Sequence, residues 1–193
     1  MVWFLGWCVP ASPAARLLGE VEWSTVRLRE HSEDVARSAR LAVRDGVLPG
    51  FREDCSGFVS SVYTASGIDM DGRVATLWEA ALDRGLLHHD PIPVIGDLAF
   101  FDNTWDRDGD GRFDDERTHI AVVVDVEPDG TIWMAHHGSK RAMIRMNLLD
   151  PRDEGSNSVL RLDPGGPLGL TRTGELWVGF LTVDPEQDWR TEG

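Results

Sequence analysis

The chain has 193 residues, 41% hydrophobic and 27% charged, which suits one soluble globular domain with a decorated end. Its formal net charge of −14 argues against a nucleic-acid or anionic-membrane surface, because phosphate binding needs a basic patch and no Lys/Arg cluster occurs. Two cysteines, Cys8 and Cys55, allow at most one disulfide, and no stretch approaches the ~20 apolar residues that a membrane-spanning helix needs.

Residues 1–30 read as an extension without clear periodicity. Val2 to Pro10 is apolar and Ala11-Ser12-Pro13-Ala14-Ala15 is small, as in an export or lipidation signal, although no basic leader precedes them. Leu5-Gly6-Trp7-Cys8 is faintly like a lipoprotein cleavage site; a hydrophobic arm packed on the domain is the alternative. The domain is expected over 31–185, with 186–193 as a tail. Ser32-Glu33-Asp34 opens a helix to about Val43, with Val35, Ala36, Ala39 and Val43 as its apolar face and Gly46 as its stop. Asp54 caps a second helix in which Cys55, Phe58, Val59, Val62 and Ser66 share a face before Gly67. A third helix runs from about Val74 to Arg84, closed by Gly85. Strands follow: Gly96 to Phe101, Thr118 to Val126, Thr131 to His136 across a Pro-Asp-Gly turn, Ala142 to Met146, and Leu176 to Val183. Helices first and an antiparallel sheet afterwards is α+β organisation.

Cys55 stands at a helix start, where first-turn N–H groups and the helix dipole favour thiolate, and small Ser56 and Gly57 leave room for a substrate. A buried structural cysteine is the alternative, and a Cys8–Cys55 bridge would silence the nucleophile. A thiol needs a base, and His31, His88, His89, His119, His136 and His137 are the candidates. His119 begins a rigid strand whose face carries small Ala121. The hairpin returns His136 and His137 toward Ala121. Pairing of Val126 with Thr131 puts His136 on the His119 face; pairing of Glu127 with Thr131 through a bulged turn puts His137 there.

The order of these features resembles the NlpC/P60 cysteine peptidases over about residues 34–148. Asp54-Cys55-Ser56-Gly57-Phe58-Val59 is similar to that family's nucleophile motif, Gly96-Asp97-Leu98-Ala99-Phe100-Phe101 to its Gly-Asp-Leu strand, and Thr118-His119-Ile120-Ala121-Val122 to its histidine strand. The resemblance implies a papain-like fold, Cys55 as nucleophile, His119 as general base and acid, and His136 as the group that orients it. It further implies hydrolysis of amide bonds in peptidoglycan peptides, a cell-envelope or secreted setting, and no required cofactor. Two departures stand out: Val47 to Glu53 lacks the family's Tyr and Gly-rich approach, and an acidic loop is inserted before His119. An acyltransferase acting on a lipid or amine, and an inactive binding module, are the alternative functions.

The inserted loop, Asp106 to Glu116, has the spacing of a calcium loop: Asp106, Asp108 and Asp110 at positions 1, 3 and 5, Gly111 at 6 and Asp114 at 9. Arg117 stands where the twelfth-position Glu is expected. A solvated Asp/Gly turn gives the same composition.

Overall fold

The computed structural model describes residues 31–162 and 169–191, so the expectations for the first thirty residues, Cys8 among them, lie outside the described residues. Three helices precede the main sheet. Helix α1 spans 31–45 and buries Val35, Ala36, Ala39 and Ala42, a stripe at helical spacing. Gly46, at φ +106°, ends it in the left-handed region that a side chain would strain. Helix α2 (Cys55–Ala65) is capped by Asp54, whose carboxylate accepts the Gly57 N–H at 2.7 Å. Helix α3 (Val74–Asp83) buries Val74, Leu77 and Ala81.

The sheet strands are β2 (Leu87–His88), β3 (Leu98–Phe101), β4 (His119–Val126), β5 (Ile132–His137), β6 (Arg141–Met146) and β7 (Trp177–Leu181). They form one antiparallel sheet in the order β2-β7-β3-β4-β5-β6, and a short helix α4 (Thr173–Leu176) leads into β7. Alternation along β4 divides the core in two. Ile120, Val122 and Val124 pack with Phe58, Val59 and Val62 of α2 and with the buried stripe of α1. Ala121 and Val123 pack on the opposite face with Phe101, Met134, Ile144, Leu176 and Phe180. Each large apolar side chain buried this way contributes about 1.5–3 kcal/mol. β4 is therefore covered on both faces, which makes it a stiff support for His119 at its start. The architecture is α+β.

The β4–β5 hairpin combines both anticipated registers. At the turn, Glu127 N–H donates to Thr131 at 2.8 Å and Val126 pairs with Ile132, the bulged-turn alternative. The register then shifts between Val123 and Asp125, and Val122 pairs with Ala135. The extra residue cancels the turn's offset, so continuing the count brings Ala121 opposite His136.

The expected tail from 186 is part of the domain instead. Strand β8 (Trp189–Arg190) pairs in parallel with β1 (Met70–Asp71). Trp189 is fully buried, its indole N–H donates to the Asp184 carbonyl at 2.8 Å, and the Arg84 guanidinium lies over its ring. A single tryptophan among polar residues has no periodicity to reveal it. No helix among the described residues is long and apolar enough to cross a membrane.

Candidate active site

The loop before the cysteine is built around Arg52. Its guanidinium donates to the Gly72 carbonyl at 2.8 Å and to Asp71 at 3.1 Å, and lies 3.6 Å from Asp54. Its carbonyl presses on the first turn of α2: a Cβ on Gly57 would stand 2.1 Å from the Arg52 oxygen. Gly57 thus permits this approach rather than merely clearing space for substrate. Ser56 Oγ donates to Asp54 at 2.9 Å, and Leu48 N–H donates to Ser61 Oγ at 2.8 Å, fixing the run whose residues depart from the family pattern.

Cys55 is a free thiol, half-buried against the α2 core. The β4–β5 ladder ends at Val122–Ala135, so Ile120 has no ladder partner in β5. Its N–H lies beside the Cys55 sulfur and favours the thiolate, together with the N–H groups of Ser56 and Cys55 itself. The sulfur is therefore next to the peptide that follows His119. The register, however, places the His119 and His136 side chains with Phe101 and Ala121, on the face of the sheet opposite α2, whereas Ala121 was expected to offer its face to the helix. His119 and His136 are both buried, and His119 Nε2 lies 2.8 Å from His136 Nδ1, the two rings nearly perpendicular. His137, the other candidate for this partner, faces Glu53 instead, with Nδ1 3.8 Å from its carboxylate. Among the described residues, no hydrogen bond links Cys55 to either imidazole of the pair.

Electrostatics sets the resting protonation. Burial pushes the Cys55 thiol up to about 11, the Asp54 carboxylate adds to this, and the three N–H groups only partly oppose it. The thiolate expected from the helix start is thus outweighed by desolvation. His119 is held far below the usual imidazole range by burial, then by His136 and His137. His136 is lowered by burial and then by His137. The resting site holds a neutral thiol beside neutral imidazoles.

No family model, curated protein or solved structure matches this chain.

The Gly96-Asp97-Leu98 motif braces the site. Gly96 N–H donates to Val123, and Tyr63 Oη of α2 donates to the Gly96 carbonyl. The buried Asp97 carboxylate accepts Val94 N–H at 2.8 Å and pairs with His88 Nε2 at 3.1 Å. His88, one of the six candidate bases, thus supports the motif from β2.

In the inserted loop, the carboxylates of Asp106, Asp108 and Asp115 converge within 4.8 Å of one another. Asp110 and Asp114, expected in the same set, fall outside the cluster; Asp110 accepts the Arg112 N–H instead. The chemistry suits a hard cation, but three side chains are fewer than the six to eight oxygens calcium takes. Asp106 already accepts the N–H groups of Gly109 and Gly111, and Asp115 that of Arg107. Arg117 grips Asp102 through two contacts at 2.7 and 2.8 Å and lies 3.9 Å over Trp78. The residue that replaces the calcium-loop glutamate thereby closes the loop's base, two positions before His119. No sequence pattern announces this pairing, nor the one between Arg141 and Glu53 at 3.1 Å.

Proposed function

We propose that this protein is a papain-like cysteine hydrolase that cleaves amide bonds in peptidoglycan peptides, with Cys55 as nucleophile, His119 as base and acid, and His136 as its orienting partner. The observation that carries the reading is the 2.8 Å bond between the buried His119 and His136 at the start of β4. The sequence resemblance supplies the substrate class and a cell-envelope or secreted setting.

The chemistry follows from the tautomers. His119 Nε2–H donates to His136 Nδ1, which leaves His119 Nδ1 free to accept a proton. Because thiol and imidazole are both neutral at rest, the proton moves to His119 as sulfur attacks the amide carbon. N–H groups at the start of α2 stabilise the oxyanion. The C–N bond breaks, His119 returns its proton to the leaving amine, and water activated by His119 then hydrolyses the thioester. No cofactor is needed; a calcium ion in the acidic loop would stiffen the approach to His119, and a melting temperature raised by calcium and reversed by chelator tests that role. An apolar groove beside Phe51 and Trp78 would favour the acyltransferase alternative; Trp78 is instead covered by Arg117 and packed edge-on against Phe100.

Acid-quenched reactions with muropeptides test the covalent route. They are expected to show a hydroxylamine-sensitive acyl mass on the Cys55 peptide. Product accumulation with no adduct at any quench time would count against it.

A further inference from the structure

We propose that Arg141 and His137 form a carboxylate-binding subsite at the mouth of the candidate site, and that Glu53 occupies it until substrate arrives. The proposal rests on the hydrolase reading and names the feature of the substrate that the site selects. Glu53 lies two residues before Cys55, and His137 follows His136, so the cluster adjoins the reacting groups. One Glu53 oxygen lies 3.1 Å from Arg141 Nη1 and 3.8 Å from His137 Nδ1. It is a resident carboxylate that marks where another would sit.

The surroundings suit exchange. The His137 side chain is only 11% exposed, and its Nδ1 is buried with no hydrogen-bond partner in the structure. A buried imidazole nitrogen left unpaired costs free energy that a closer carboxylate would recover. The Arg141 guanidinium lies beside Gly46, where an added Cβ would stand at ordinary contact distance, 3.6 Å, and its polar partner is the exposed Glu53. Glu53 is 63% exposed, and exposed ion pairs contribute little, so displacing it is cheap. A substrate carboxylate could pair with the Arg141 fork while donating nothing itself, the geometry that guanidinium recognises. His137 Nδ1–H would then close on its second oxygen. A free carboxylate close to the scissile amide is therefore the feature recognised.

The test uses two short peptides that differ only in a free carboxylate or a carboxamide beside the scissile bond. Binding to full-length Cys55→Ser protein is measured by calorimetry, independently of turnover. The carboxylate peptide is expected to bind at least tenfold tighter. Arg141→Gln should abolish that preference, and Glu53→Gln should tighten the carboxylate peptide alone by several-fold. Equal binding of the two peptides, binding of neither, or a preference that survives Arg141→Gln overturns the subsite. Turnover by the wild type is read separately: preference in binding with no cleavage would refute the hydrolase reading and leave the subsite standing.

Discussion

Titrating the reactivity of Cys55 with a small alkylating agent probes the electrostatics of the site without presuming a substrate. With the thiol pushed up to about 11, the thiolate fraction at pH 7 is on the order of 10⁻⁴. A free cysteine near 8.5 has a few per cent, so Cys55 should label roughly 300-fold more slowly at neutral pH. The rate should climb tenfold per pH unit well past pH 9. Peptide mapping follows Cys55 separately from Cys8. Asp54→Asn isolates one contribution: Asn caps a helix as well as Asp does, so α2 keeps its start while the charge that opposes the thiolate is gone. Labelling should then accelerate by up to about tenfold. Rapid labelling that levels off by pH 7, with no effect of Asp54→Asn, would show a preformed thiolate and refute the neutral resting site.

Four other outcomes follow from the geometry. Replacing His136 with Ala should cut turnover about 10²-fold with little change in KM, whereas Asn, which keeps an acceptor, should retain more; equal losses would remove the orienting role. His119 and His136 have folded values below the ordinary 6.5, so the unfolded chain binds more protons in acid. Their contribution to stability is full above pH about 6.5 and is lost as pH falls toward the folded values; urea midpoints should drop over that range, and a His119→Gln, His136→Gln double variant should flatten the slope. Gly57→Ala should destabilise by up to about 2 kcal/mol, since overpacking against the Arg52 carbonyl costs roughly 1–3 kcal/mol and helix propensity returns about 1, and a midpoint raised above wild type would show that the loop yields. Trp189→Ala should cost about 3–5 kcal/mol, and a midpoint within about 0.5 kcal/mol of wild type would return residues 186–193 to a tail.

Periodicity made most of the scaffold legible. The stripe through Val35, Ala36 and Ala39, the face through Phe58, Val59 and Val62, and the alternation from His119 to Val126 each reflect a face that must be buried, and the structure builds an element from each, with Ala42 rather than Val43 completing the first stripe. What escaped lacked a repeating signal. β1, β2 and β8 are two residues long, too short to alternate, and Trp189 is a single anchor. The hairpin register turned on a bulge at Val124, where nothing in an unbroken apolar run marks the extra residue. Cys55, His119 and His136 were nameable because their chemistry restricts the residue types. The sign of the Cys55 shift was not, since dipole and burial compete and only packing fixes the second. Pairs such as Arg117–Asp102 and Arg141–Glu53 join positions 15 and 88 residues apart, and a single sequence does not couple them.

Digestion of purified muropeptides by the wild type and by Cys55→Ser, read by mass spectrometry, bears most directly on the assignment of a Cys55–His119–His136 hydrolase. The wild type should split stem peptides with the gain of one water per cut and a new free amine, and Cys55→Ser should leave them intact. No cleavage by the wild type, or the same products from Cys55→Ser, would contradict it.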